Sequence, residues 1–411
     1  MSRGLGDVYK RQHVNYSLRF MHNFVTHLEC SKVGDHYKYD EINNLSKINK
    51  PLLVKYDLEK IKNKFSRKDF IQDFSQLPGF WKYQYLLPLA NVSSVIDLGE
   101  VITPLVKIST FPNLFFKDEG RLPTGSFKAR GLALAVARAK ELGIKKIAIP
   151  TNGNAGAALA AYASAAGIES YVFCPKDTPP INIKEAELQG AKTFTIDGLI
   201  NDCGLLIAEH KEKEGWFDIS TLKEPYRLEG KKTMGFELAE QLNWQLPKNI
   251  FYPTGGGTGL IGMWKAFNEL KKLGWIDCEF PKMFAIQSST CSPIVKAFNE
   301  GKDYADPWLN AQTLASGIRV PVAVGDFLIL QTIRESNGYA IAVDDQEIIR
   351  ERDNIATNHG FLACPEGAAT LAGYNKALQM GLVDENEKTV LFNCATGLKY
   401  PMPEVNNKFH E

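Results

Sequence analysis

Lys128 closes the turn Leu122-Pro123-Thr124-Gly125-Ser126-Phe127 and opens a run whose Leu132, Leu134, Ala135 and Val136 suit a buried helix over residues 130–143. A lysine at such a junction can simply snorkel from a helix start. If it loses solvent instead, its pKa falls and it becomes an amine nucleophile or an imine-forming group. A second motif, Thr151-Asn152-Gly153-Asn154-Ala155-Gly156, lies where an apolar strand over residues 146–150 turns into a helix. It is either a capped helix start or a ligand loop at a strand end, with the Asn154 amide free to bond a phenolic or carboxylate oxygen. The third, Thr254-Gly255-Gly256-Gly257-Thr258-Gly259, also joins a strand to a helix. So many glycines let the backbone curl with its N–H groups inward, forming an anion nest at a helix N-terminus.

The chemistry of the anion follows from what accompanies the nest. Gly257, Gly259 and Gly262 have the spacing of a dinucleotide fingerprint, but the following strand ends in Ile286-Gln287-Ser288 without the acid that would hold a ribose. No Lys-Ser or Lys-Thr follows the loop, which excludes a P-loop. A phosphate cradle, an amide-bearing turn and a desolvated lysine together suit pyridoxal 5′-phosphate. The lysine forms the imine, the glycines hold the phosphate and the amide contacts the ring oxygen.

The elements that position these groups alternate from Lys145 onward. Expected strands over 146–150, 171–175, 193–197, 217–220, 250–253 and 283–287 are separated by helices over 155–166, 182–189, 200–213, 229–242 and 260–273. This pattern predicts an α/β fold with parallel sheets flanked by helices. Strands are also expected over 105–108, 114–117, 340–343 and 390–393, with helices dominating after Ser292. Residues 1–12 lack periodicity and resemble a translated adapter, an artefactual leader. Residues 13–95 read as an amino-terminal extension of few long elements, with the aromatic stretch 79–83 as a docking anchor. Residues 96–143 and 245–411 are assigned to a large cofactor-binding domain, and 144–244 to a small α/β domain.

At 411 residues and 44% hydrophobic, the chain can bury a large core. A formal net charge of +1 gives no electrostatic case for nucleic-acid or membrane-surface binding. The seven cysteines are scattered without a CxxC pair, which fits a reducing cytoplasm and offers no thiolate metal site.

The three motifs, in this order, resemble the fold-type-II, tryptophan-synthase-β-like pyridoxal-phosphate enzymes, and among them the threonine synthases. The run 225–233, the segment 98–105 and the terminal Gly397-Leu398-Lys399 extend the likeness to residues 25–400, roughly. The resemblance implies a cytoplasmic homodimer acting on a small amino-acid substrate and turning O-phospho-L-homoserine and water into L-threonine and phosphate. It makes Lys128 the Schiff-base lysine and general base, Asn154 the contact to ring O3′, and Gly255, Gly256, Gly257, Thr258 and Gly259 the phosphate loop. Thr151 and Asn152 would grip the substrate carboxylate, and Cys394, or else Thr396, would face the pyridine nitrogen. A synthase must also hold the substrate's own phosphate. Arg227 and Lys232, with Thr124 and Ser126 beside the lysine, are the expected donors. Ala129 stands where such synthases usually carry Asp, as in related dehydratases. Some relatives carry paired metal-binding cysteines near the amino terminus; only Cys30 is present here, so no zinc is expected. A serine/threonine dehydratase, a β-replacement enzyme such as a cysteate synthase, and a non-catalytic regulatory protein are the alternatives. Glu366 is assigned to a helix start rather than to the site.

Overall fold

The computed structural model describes residues 23–72, 77 and 79–403. The supposed leader, residues 1–12, lies outside them. Three sheets carry the chain. The largest has six strands in the order Tyr339–Val343, Lys282–Ser288, Asn249–Pro253, Thr389–Asn393, Leu114–Asp118, Leu105–Lys107. All pairings are parallel except the last, where Leu105–Lys107 runs antiparallel at the edge. The second is wholly parallel, ordered Lys192–Ile196, Glu169–Pro175, Lys146–Pro150, Phe217–Asp218. These elements match the expected alternation within one to three residues at most ends. Parallel strands need a long crossover, and helices such as Asn154–Ala166, Ile200–Glu214 and Thr258–Lys272 provide it.

Two expectations change. The amino-terminal extension is more ordered than its composition suggested. Val25–Cys30 pairs antiparallel with His36–Tyr37 on one side and Leu52–Tyr56 on the other. Leu28, Cys30, Leu52 and Val54 turn inward, and the anchor residues Phe80, Trp81 and Tyr83 are fully buried in the same core as Leu132, Leu134 and Phe236. The helix carrying the reactive lysine begins earlier than its apolar pattern implied, at Lys128, and runs to Glu141. Periodicity reports the buried face of a helix; this first turn is fixed by contacts outside it.

Those contacts are ionic and dry. Arg130 donates to Glu119 at 2.6 and 3.0 Å and to Glu237 at 2.6 and 2.8 Å, and all three side chains are wholly buried. Lys117 adds a 2.8 Å bond to Glu237, and Thr103 bridges Glu119 and Glu237. The cluster joins the lysine helix to strand Leu114–Asp118 and helix Tyr226–Gln241. Burial works to raise the Glu237 carboxyl, but the neighbouring Arg130 and Lys117 charges outweigh it and hold the group well below the usual carboxylate range. Glu237→Gln should therefore destabilise the fold by about 3 kcal/mol in urea titrations, because two buried cations lose a counter-charge. A depressed carboxyl stabilises above its unfolded pKa and loses that contribution as pH falls through its folded one. The difference between wild type and variant should accordingly shrink in acid below the ordinary carboxylate range.

Candidate active site

The asparagine and glycine motifs, and Cys394, emerge at the carboxyl ends of parallel strands, where open α/β sheets bind ligands. Residues 151–154 follow Lys146–Pro150, residues 254–259 follow Asn249–Pro253, and Cys394 follows Thr389–Asn393. They surround a cavity of about 340 Å³ lined by Lys128, Thr151, Asn152, Asn154, Gly255, Gly256, Gly257, Thr258, Gly259 and Cys394, among others.

Lys128 is set by a turn that the opposite chain segment holds shut. Thr124 and Gly125 both take left-handed torsions, at φ 59 and 63°. The Phe127 N–H donates to Cys394 O at 2.8 Å, Thr396 N–H to Gly125 O at 2.9 Å, and Lys399 Nζ to Thr124 O at 2.8 Å. The lysine and the thiol thus share one frame. Burial lowers the Lys128 pKa to about 8, helped by the Arg227 guanidinium and opposed by Cys394 and Glu366. Burial pushes the Cys394 thiol up to about 12, so it stays protonated and neutral.

The asparagine loop is braced in the same way. Asn152 Nδ2 donates to Arg319 O at 2.9 Å and Ser316 O at 3.2 Å, while Asn154 Nδ2 donates to the Tyr400 hydroxyl at 3.0 Å. The Oδ1 atoms of both asparagines are buried and have no partner. In the glycine loop, Gly257 has φ 73°, and a Cβ at Gly259 would lie 2.0 Å from the Tyr252 hydroxyl. The Ile261 N–H bonds back to Gly257 O. The N–H groups before it, at a helix N-terminus, are therefore available to an anion.

Not every predicted residue lines the cavity. Thr396 caps the short helix Gly397–Lys399, with its hydroxyl accepting from Leu398 N–H at 3.4 Å. Thr124 and Ser126 belong to the turn behind Lys128. Arg227 is buried, with Nη1 donating to Ile219 O at 2.8 Å and Nε unpartnered. Lys232 lies in a dry pairing with Glu229 at 2.6 Å and Glu269 at 2.8 Å. Three wall residues escaped sequence reasoning. Lys223 stands only two residues before the run 225–233 and has no local signal that sets it apart from Arg227 and Lys232. Tyr400 had no local signal. Glu366, assigned to a helix start, accepts from Gly317 N–H at 2.6 Å and leaves Oε2 unpartnered in the cavity wall; burial raises its pKa.

The residues fit a phosphorylated aldehyde. An amine of lowered pKa, a backbone cradle for phosphate and an orphaned amide oxygen meet in one cavity, and together they define a site for pyridoxal 5′-phosphate. A family model described as pyridoxal-phosphate dependent enzyme matches residues 96–395, and the chain belongs to that family. It is similar to the threonine synthase of Methanocaldococcus jannaschii, 35% identical over 90% of this chain and 92% of that one. The threonine synthase of Methanosarcina acetivorans is 35% identical over 92% of this chain and 94% of its own. Among solved structures, maize serine racemase superposes with a TM-score of 0.62 at 20% identity, covering 72% of this chain and 88% of that one. That likeness is one of fold.

Lys128 should react with an amine-directed acylating reagent in cofactor-stripped protein with a midpoint near pH 8. Arg227→Met removes a neighbouring positive charge, so the midpoint should move up. Peptide mapping across pH checks both, and Lys128→Ala identifies the phase.

Proposed function

We propose that the protein is a threonine synthase, converting O-phospho-L-homoserine and water to L-threonine and phosphate. The reading rests above all on likeness to threonine synthases along nine-tenths of the chain, amino-terminal extension included. A cytoplasmic homodimer is part of it. The seven free cysteines support a reducing compartment, and no helix among the described residues is long and apolar enough to cross a membrane.

In this reading Lys128 carries the cofactor. Gly255 to Gly259 would hold its phosphate through backbone N–H groups, Asn154 would meet the ring oxygen, and the neutral Cys394 thiol would face the ring nitrogen. Bound pyridoxal phosphate supplies an electron sink for charge that develops beside the substrate amine. The Lys128 Nζ would take and return protons at the substrate carbons, a task suited to an amine whose pKa is lowered to about 8. Thr151 and Asn152 orient the substrate carboxylate.

A phosphorylated substrate needs cationic donors of its own. Lys232 is neutralised by two glutamates, so that role falls to Lys223, which lines the cavity. Lys223 lies 3.4 Å from Asp218, and Asn44 of the extension donates to the carbonyls of both residues at 2.8 and 2.9 Å, bracing the loop.

Phosphate release from O-phospho-L-homoserine, measured beside 2-oxobutyrate release from L-threonine, tests the assignment. Faster deamination of threonine would replace the synthase with a dehydratase. Lys223→Met should lower kcat/KM for the phosphorylated substrate about thirtyfold, equivalent to ~2 kcal/mol for one charge-assisted contact. Cofactor absorbance should be unchanged, and Lys232→Met should act on stability rather than on KM.

A further inference from the structure

Outside the cavity, the amino-terminal sheet gathers three ligating side chains that the reaction does not use. Alternation along Val25–Cys30 sends Leu28 and Cys30 into the core and leaves His27 and Glu29 on the other face. His36 lies directly across the antiparallel pair from Glu29. As a result His27 Nε2 lies 3.7 Å from Glu29 Oε2, and His36 Nε2 lies 3.9 Å from the same oxygen. The three ligand atoms fall within 4.8 Å of one another. The second carboxylate oxygen, Oε1, is taken by Lys55 Nζ at 2.8 Å.

The Thr26 hydroxyl stands behind His27. Thr26 Oγ1 donates to Lys55 O at 3.2 Å and sits 2.9 Å from His27 Nδ1. In the tautomer whose Nδ1–H donates to that oxygen, Nε2 is a lone pair free to ligate. The His27 Nε2 is shielded from water and, 3.7 Å from the Glu29 oxygen, has no hydrogen-bond partner. Either a proton on Nε2 or a metal ion between the two groups would satisfy both.

We propose that His27 Nε2, His36 Nε2 and Glu29 Oε2 bind a zinc-like divalent transition ion, with water in the fourth position. Tetrahedral zinc with bonds of about 2.0–2.1 Å places its ligand atoms roughly 3.3 Å apart, within about half an ångström of the observed carboxylate separations. The two rings face each other, tilted by 31° with centroids 3.8 Å apart, so binding would spread them toward the roughly 5 Å that two imidazoles on one tetrahedral ion require. Two imidazoles and a carboxylate favour zinc, cobalt or nickel over magnesium or calcium. Accepting from His27 Nδ1–H, the Thr26 hydroxyl would favour the ligating tautomer, the usual service of a hydrogen bond to the far ring nitrogen. The ion would clamp the two-residue strand His36–Tyr37 onto Val25–Cys30. Cys30 faces the opposite side and takes no part, so the absence of paired cysteines does not bear on this site.

Tag-free, full-length holoenzyme stripped with a chelator and titrated with Zn²⁺ in a calorimeter tests the idea. One equivalent should bind, and Co²⁺ in its place should give the intense visible absorption of four-coordination. His36→Ala, Glu29→Gln and Thr26→Val should each weaken Zn²⁺ by about tenfold or more. His27→Ala/His36→Ala should abolish binding, and Lys55→Met should tighten it by freeing the carboxylate. Cofactor absorbance should be the same in every variant, since none of these residues lines the cavity; it also reports that each has folded. Undiminished Zn²⁺ binding in the double variant, no binding preference over Mg²⁺, or only the weak absorption of six-coordinate Co²⁺ would overturn the proposal.

Discussion

The position of Lys128 depends on a buried arginine two residues further on. Arg130 is fully enclosed and meets Glu119 and Glu237, which also engages Lys117. Desolvating four charges is expensive, so the network adds little net stability compared with apolar packing. What it does supply is a single geometry. Sliding the helix Lys128–Glu141 by one residue would strand a guanidinium in a dry core. Lys128, at the start of that helix, inherits the precision.

A second constraint closes the frame. The turn before Lys128 is hydrogen-bonded to residues 394–396 and to Lys399, which itself pairs with Glu185 at 2.6 Å. Segments nearly three hundred residues apart in sequence thus fix the amine and the thiol together. The thiol is held neutral by the same burial that lowers the lysine. One buried environment therefore favours the uncharged form of both groups.

Helix geometry explains how the basic run 223–232 is divided among three tasks. Arg227 and Lys231 are one turn apart and share the side that faces the lysine segment, where Lys231 donates to Phe127 O. Lys232 is rotated about 100° from its neighbour, toward helix Thr258–Lys272 and Tyr56 of the extension, where Glu229 and Glu269 enclose it. Lys223 precedes the helix and is left on the cavity wall. Adjacent cations in a sequence need not be adjacent in a site.

The sequence by itself determined the alternation of strands and helices, the three strand-to-helix motifs and the cofactor chemistry they imply. All are local: a glycine nest, a capped turn and a period of two or 3.6 residues are written in neighbouring residues. Tertiary structure alone decided which charged groups remain available. The enclosure of Lys232, the arrival of Tyr400 beside Asn154 and the entry of Glu366 into the wall each depend on elements far apart in the chain. The order of the amino-terminal extension was hidden for a related reason. Its short strands bury only one face, and the core that covers that face draws on residues as distant as Leu132, Phe236 and Trp275. Burial and pairing set the charge state of each side chain, and both belong to the folded molecule rather than to any stretch of its sequence.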